Sequence, residues 1–191
     1  NEVLKLWQGL GYYSRARNLH ATAKYIHFEC GGIFPSSFDD LIKLKGIGDY
    51  TASAISSICF DIPEAVVDGN VYRFLARYFG IDTPINSSLA HKLFKAKAMD
   101  LIDKLKPGDF NQALMEFGAI QCTPQNPNCQ VCPFSIKCVA FNQDKLTALP
   151  VKIKKAKIKK RHFNYLLISD KKNRYLIEQR TQKGIWKQLY Q

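Results

Sequence analysis

Four cysteines fall within 17 residues of one another, at Cys122, Cys129, Cys132 and Cys138, in the spacing C-x6-C-x2-C-x5-C. Thiols at that density close either disulfides or a metal centre. With no basic-then-apolar segment ahead of them, a disulfide framework is not the expectation. Structural zinc usually presents two close pairs of ligands, and here there is one, Cys129/Cys132. The uneven spacing suits four thiolates gripping the corners of a [4Fe–4S] cube; zinc is the alternative. Pro124, Pro127 and Pro133 stiffen the loop. Cys30 and Cys59 lie far upstream on expected helices and read as buried apolar residues.

The second constraint is Leu44-Lys45-Gly46-Ile47-Gly48-Asp49-Tyr50-Thr51-Ala52, followed by Asp68-Gly69-Asn70-Val71. Ser37-Phe38-Asp39-Asp40 begins a helix with a capping box. Gly46 and Gly48 permit a tight turn at φ > 0 and close approach of the backbone to a ligand. Asp49 stands where it can cap the next helix. Amides exposed at such a turn suit a phosphate oxygen. Asp68 follows the apolar run Ala65-Val66-Val67 and precedes an expected helix. It is either a helix cap or a working carboxylate.

Helical periodicity is expected over residues 1–8, 14–30, 37–44, 49–59, 70–79, from Ser87-Ser88 to near Leu105, and 110–120. Val71, Phe74, Leu75 and Tyr78 form one stripe, with Arg73 and Arg77 expected on a solvated face. Leu114, Phe117 and Gly118 mark a packing side. Gly9-Leu10-Gly11-Tyr12-Tyr13 breaks the first two helices. It reads as a turn that either buries its rings or presents an aromatic to nucleic-acid bases, with Arg15 and Arg17 for phosphates. His162–Ser169 and Arg174–Arg180 read as strands joined by a turn at 170–173. The expected organisation is a helical unit over 1–148, a basic linker over 149–161, and the beginning of a second unit over 162–191.

The net charge of +12 points to nucleic acid, but it is unevenly spread. Residues 151–191 hold 13 basic and 2 acidic side chains, against 15 and 14 in residues 1–150. Nucleic-acid contact by the long first unit must therefore use placed amides and a few cations. The uncharged run from Tyr50 to Phe60 is far short of the ~20 residues that span a bilayer. No membrane role is expected, and nothing suggests a self-association helix, so a monomer is expected. The chain opens on Asn1-Glu2-Val3 in what reads as mid-helix, without an initiator Met, and is expected to be an internal fragment.

LKGIGDYTA, VDGNV and C-x6-C-x2-C-x5-C, in that order, resemble the helix–hairpin–helix DNA glycosylases that carry an iron–sulfur cluster. GLGYYSRARNL and GIWKQLY make the chain most similar to the adenine-specific branch of that superfamily, MutY. The resemblance covers essentially the whole chain. It implies a mainly α fold, a helix–hairpin–helix glycosylase domain with a [4Fe–4S] loop held by Cys122, Cys129, Cys132 and Cys138, then the start of an α+β Nudix-like domain. It implies hydrolysis of the N-glycosidic bond of adenine mispaired with 8-oxoguanine or guanine in double-stranded DNA. Asp68 would be the carboxylate that stabilises the oxocarbenium-like sugar, with Asn70 and Tyr50 positioning it, the sugar or the water. Gly46, Ile47 and Gly48 would hold a DNA phosphate, with a monovalent cation at the hairpin, and Tyr12 would wedge into the duplex. The endonuclease III relatives of the resemblance, acting on oxidised pyrimidines, carry a lysine nucleophile where this chain has Tyr50, which cannot form a Schiff base. A non-catalytic iron–sulfur DNA-binding module is the remaining alternative.

The resemblance also implies a proton-donating glutamate upstream of the GLGYY turn, and no position here matches it. Glu2 and Glu29 lie in the wrong context. The 191-residue chain alone is therefore expected to lack activity. The short connector after Cys138 fits a bacterial form working in the cytoplasm, at the nucleoid.

Overall fold

The structure, a computed structural model, describes residues 2–153 and 160–191. Lys154, Lys155, Lys157 and Lys159 of the expected linker lie outside the described residues. In chain order the helices are α1 (Glu2–Leu6), α2 (Tyr13–Glu29), α3 (Phe38–Leu41), α4 (Asp49–Phe60), α5 (Gly69–Phe79), α6 (Ser88–Leu101), α7 (Pro107–Ile120) and α8 (Val139–Asn142), with 3₁₀ turns at Cys129–Val131 and Ser135–Lys137. None of these helices is long and apolar enough to cross a membrane.

Two apolar cores organise the helices. The larger packs α5, α6 and α7 around Val71, Phe74, Leu75, Phe94 and Ala98, with Leu114 and Phe117 against it. The stripe expected on α5 is therefore the buried one. The smaller core, Ile26, Leu41, Leu44 and Ala52, ties α2 and α3 to α4 and takes Ile47 and Ile55 at its edge. It lies directly under the glycine hairpin and holds it. A polar fastening joins α4 to α6: Lys95 donates to Ser53 Oγ at 2.6 Å and lies 3.1 Å from Glu64 and 3.8 Å from Asp49.

Several elements differ from expectation. The helix expected over 37–44 stops at Leu41, because Leu44 and Ile47 close short i→i+3 turns onto the carbonyls of Leu41 and Leu44. The helix expected to reach Leu105 ends at Leu101. Asp103 then turns its carboxylate back onto the amides of Leu105 and Lys106, at 2.8 and 3.2 Å, ahead of Pro107. The 170–173 turn forms, with Asp170 accepting from the amides of Lys172 and Arg174 at 2.8 and 3.0 Å. The flanking strands do not: among the described residues only the bridges Ser169–Tyr175 and Gln179–Tyr190 form. Leu166 and Leu167 stay exposed. A two-stranded ribbon with no apolar partner face has little to hold a continuous ladder.

Candidate functional site

Asp68 is the residue before α5, in extended backbone, and is half-buried. Its Oδ1 accepts from the amides of Asn70 and Val71 at 2.9 and 2.8 Å, so the capping role is real. The second oxygen is held differently: Oδ2 accepts from Asn70 Nδ2 at 2.9 Å. The segment leading into Asp68 is pinned from below by buried Asn111 of α7. Its Oδ1 accepts from the Val66 amide at 2.9 Å, while its Nδ2 donates to the Glu64 carbonyl and to Ser57 Oγ. One side chain thus fixes the 64–66 approach to the carboxylate against both α4 and α7.

Asn70 continues the chain of contacts. Its Oδ1 accepts from Arg73 at 2.9 Å, and the same guanidinium donates to the carbonyls of Gly118 and Cys122, the latter at 2.7 Å. Arg77, one turn on, donates to the carbonyls of Thr123, Pro124 and Leu149 at 2.7, 3.0 and 3.0 Å and lies 3.5 Å from Cys122 Sγ. Both arginines are buried, which corrects the expectation of solvated charges. Burial pushes the Arg73 guanidinium below the usual arginine range. A buried cation needs its donors satisfied, and the carbonyls of a loop more than 40 residues away satisfy them. These two arginines are the residues that sequence reading missed. The one available signal was their i, i+4 spacing on a helix whose sequence faces a cysteine-rich loop.

Cys122, Cys129, Cys132 and Cys138 all line one pocket, walled by Phe74, Tyr78, Phe117 and Phe134. Phe134 packs on Phe74, Tyr78 and Phe117 with ring centres 5.1–5.7 Å apart, which joins the loop to the larger core. Among the described residues no three His, Cys, Asp or Glu side chains converge as they would about one ion. Burial, then the neighbouring thiols of Cys132, Cys138 and Cys122, push the Cys129 thiol up, with Arg77 opposing. Cys59 is exposed and Cys30 half-buried, not the core residues expected. Cys59 sits in the last turn of α4, where that helix leaves the core.

Tyr50 and Asn70 come to the same side of α7. The Tyr50 hydroxyl lies 3.9 Å from Met115 Sδ. One turn further along α7, Gly118 abuts Asn70 so closely that a Cβ there would meet Asn70 backbone at 2.8 Å. Tyr50 makes no hydrogen bond to Asp68 among the described residues. Its hydroxyl carries no amine chemistry.

Asp49 does not cap α4. Gly48 occupies the cap position, and the Asp49 carboxylate instead pairs with His91 at 3.0 Å and faces Lys95. The hairpin itself is held by α2: Thr22 Oγ1 donates to the Lys45 carbonyl at 2.8 Å, and Asn18 fills the space beside Gly46, whose φ is +86°. The Ile47 amide bonds inward to the Leu44 carbonyl. The amides of Gly46 and Gly48 have no protein acceptor among the described residues, so these two are available to a ligand. Tyr12, Arg15, Gly46 and Ile47 line one groove between α2 and the hairpin. Tyr12 is 75% exposed, so its ring is presented outward rather than packed into a corner.

The chain is similar to known proteins of one superfamily. Residues 1–98 match the HhH-GPD superfamily base excision DNA repair protein family. The chain is 41% identical over 194 aligned positions to the adenine DNA glycosylase of Buchnera aphidicola from Schizaphis graminum, spanning all of this chain and 54% of that protein. It is 47% identical over 140 positions to the human adenine DNA glycosylase, spanning 73% of this chain and 26% of the relative. The chain thus spans about half the length, or less, of the curated relatives it matches. Among solved structures, a thermostable thymine-DNA glycosylase aligns with TM-score 0.68 and 33% identity over 74% of this chain and 65% of the other. An endonuclease III–DNA complex aligns with TM-score 0.63 and 26% identity over 75% and 65%. The chain therefore belongs to the HhH-GPD superfamily of base excision DNA repair proteins.

Proposed function

We propose that the full-length protein containing this chain is an adenine DNA glycosylase that removes adenine mispaired with 8-oxoguanine or guanine. The observation that carries the reading is the double hold on Asp68. One carboxylate oxygen is spent on the start of α5, and the other is aimed by Asn70. In the reaction the adenine leaves the base stack and the N-glycosidic bond is hydrolysed: the base departs with the bonding pair and takes up a proton, and water adds to the oxocarbenium-like sugar and gives up a proton. The Asp68 carboxylate stabilises that charge. Asn70 fixes the carboxylate, and Tyr50 shapes the side of the site toward α7. The names of the relatives, adenine DNA glycosylases from bacteria and eukaryotes, support adenine as the base.

DNA is held, in this reading, by the amides of Gly46 and Gly48 on a phosphate, with Ile47 packing the loop in place and a monovalent cation at the hairpin. Tyr12 enters the duplex beside the oxidised guanine, and Arg15 stands next to it. The four cysteines line one pocket, and their C-x6-C-x2-C-x5-C spacing suits a [4Fe–4S] cluster. Cys122, Cys129, Cys132 and Cys138 would hold it by their thiolates, which would tie residues 122–138 together, while Arg73 and Arg77 fasten the start of that loop to α5. Residues 149–161 act as a basic linker, and residues 162–191 begin a Nudix-like domain that helps read 8-oxoguanine. The protein works as a monomer on chromosomal DNA in the bacterial cytoplasm.

A second reading has an observation of its own. Asp68 does cap α5, as it would in an iron–sulfur DNA-binding module without chemistry. An endonuclease III-like activity is disfavoured by the hydroxyl of Tyr50. The three are separated by single-turnover base release from duplexes carrying adenine opposite 8-oxoguanine, adenine opposite guanine, or an oxidised pyrimidine. Adenine release is the expected outcome. Release of the pyrimidine alone moves the protein to the endonuclease III branch. Tight binding with no release supports the module.

A further inference from the structure

Arg15, expected to serve a phosphate, carries its guanidinium over two aromatic rings. Its Cζ lies 5.2 Å from the centre of the Trp7 ring and 6.0 Å from that of Tyr12. Both rings are within the range at which a cation is drawn to an aromatic face. Trp7 is itself tied to the turn, its Nε1 donating to the Gly11 carbonyl at 3.0 Å. Tyr12 stands at φ +49° and ψ +48°, in the left-handed region that a tyrosine seldom occupies, between Gly11 and the start of α2, with no side-chain hydrogen bond at that cap. Gly9 and Gly11 are also at positive φ. The Tyr12 side chain makes no hydrogen bond among the described residues, and its ring is exposed. Arg15 is three residues along α2, and a helical side chain covers the turn on the N-terminal side of its own Cα.

We infer that Arg15 is a positioning residue for Tyr12: its guanidinium lies over the Trp7 and Tyr12 rings and presets the Tyr12 ring for entry into the base stack. Its contribution is made to the two ring faces, not as charge delivered to the phosphate backbone. The inference rests on the proposed adenine-excision reading for its DNA readout.

Lysine keeps the charge of arginine but lacks the flat guanidinium, so Arg15→Lys and Arg15→Ala in the full-length protein separate the two roles. Affinity is measured over a range of salt for a duplex with adenine opposite 8-oxoguanine and for a fully paired duplex. Expected is a loss of about two- to fivefold in preference for the mispair in Arg15→Ala and a smaller loss in Arg15→Lys, with the slope of log affinity against log salt unchanged in both. The role is overturned if Arg15→Lys matches the unaltered protein while Arg15→Ala flattens that slope by about 0.9, the signature of one lost phosphate contact. If the unaltered protein shows no preference for the mispair, the adenine-excision reading fails, and thermal unfolding then decides the ring contact. Tm losses of Arg15→Lys and Tyr12→Leu that are smaller together than their sum support it, and additive losses overturn it.

Discussion

Arg73 donates to Asn70 Oδ1 at 2.9 Å, and this contact fixes which way the Asn70 amide faces. With its oxygen on the guanidinium, the Asn70 NH₂ must point to Asp68 Oδ2. The candidate catalytic carboxylate is thereby oriented by a cation that is itself anchored on the carbonyls of Gly118 and Cys122. The site and the cysteine loop share one hydrogen-bonded path.

Arg73→Lys keeps the charge but cannot make the same forked set of donations. It leaves buried acceptors unsatisfied, each costing about 1–3 kcal/mol. Expected is a stability loss of about 2–4 kcal/mol by denaturant unfolding of the full-length protein, with adenine release slowed beyond what the unfolded fraction explains. Unchanged release per folded molecule contradicts the positioning path.

Gly118→Ala places a Cβ 2.8–2.9 Å from the backbone and Cβ of Asn70. Neither side can yield, because Asn70 is in the first turn of α5. Overpacking of this kind costs about 1–3 kcal/mol. The variant should unfold at lower denaturant and release adenine more slowly with little change in DNA affinity. A loss of affinity equal to the loss of rate runs against this placement.

Gly46→Ala tests the hairpin. The residue is at φ +86°, and a Cβ would lie 2.6 Å from Asn18 Cβ. The turn must reshape and displace the free amides. Affinity for any duplex, mispaired or not, is expected to fall about tenfold or more, while the rate constant at saturating protein changes much less. A selective loss of mispair recognition would remove the hairpin from the phosphate backbone.

How much of this was visible in the sequence depends on what each residue touches. The hairpin, the Ser37 cap and the apolar stripe of α5 are local or periodic, so they were legible from neighbours within a few positions. Ser37 accepts from the Asp40 amide at 3.2 Å, as its spacing implies. Arg73 and Arg77 were not legible, because apart from Asn70 their partners lie over 40 residues away and are mostly backbone carbonyls, which no side-chain pattern announces. Asp49 misled for the same reason: its partners, His91 and Lys95, belong to α6. The residues at 162–169 and 174–180 recorded strand propensity, but propensity without an apolar face to cover gives bridges and no continuous ladder.

The cysteine pocket predicts composition. Purified full-length protein should be brown and carry about four iron and four acid-labile sulfide per chain. Cys132→Ser should lose the colour and loosen residues 122–138, read as faster amide exchange there. One zinc per chain and a colourless protein would show a zinc centre instead.

The most direct measurement is adenine release by Asp68→Asn in the full-length protein, under single turnover, beside its thermal unfolding. Asparagine caps a helix about as well as aspartate, so the Tm should stay within a few degrees. The carboxylate charge is lost, and release opposite 8-oxoguanine should fall by at least about 10²–10³-fold. Release at an undiminished rate in a folded variant would reduce Asp68 to a helix cap and contradict its catalytic role.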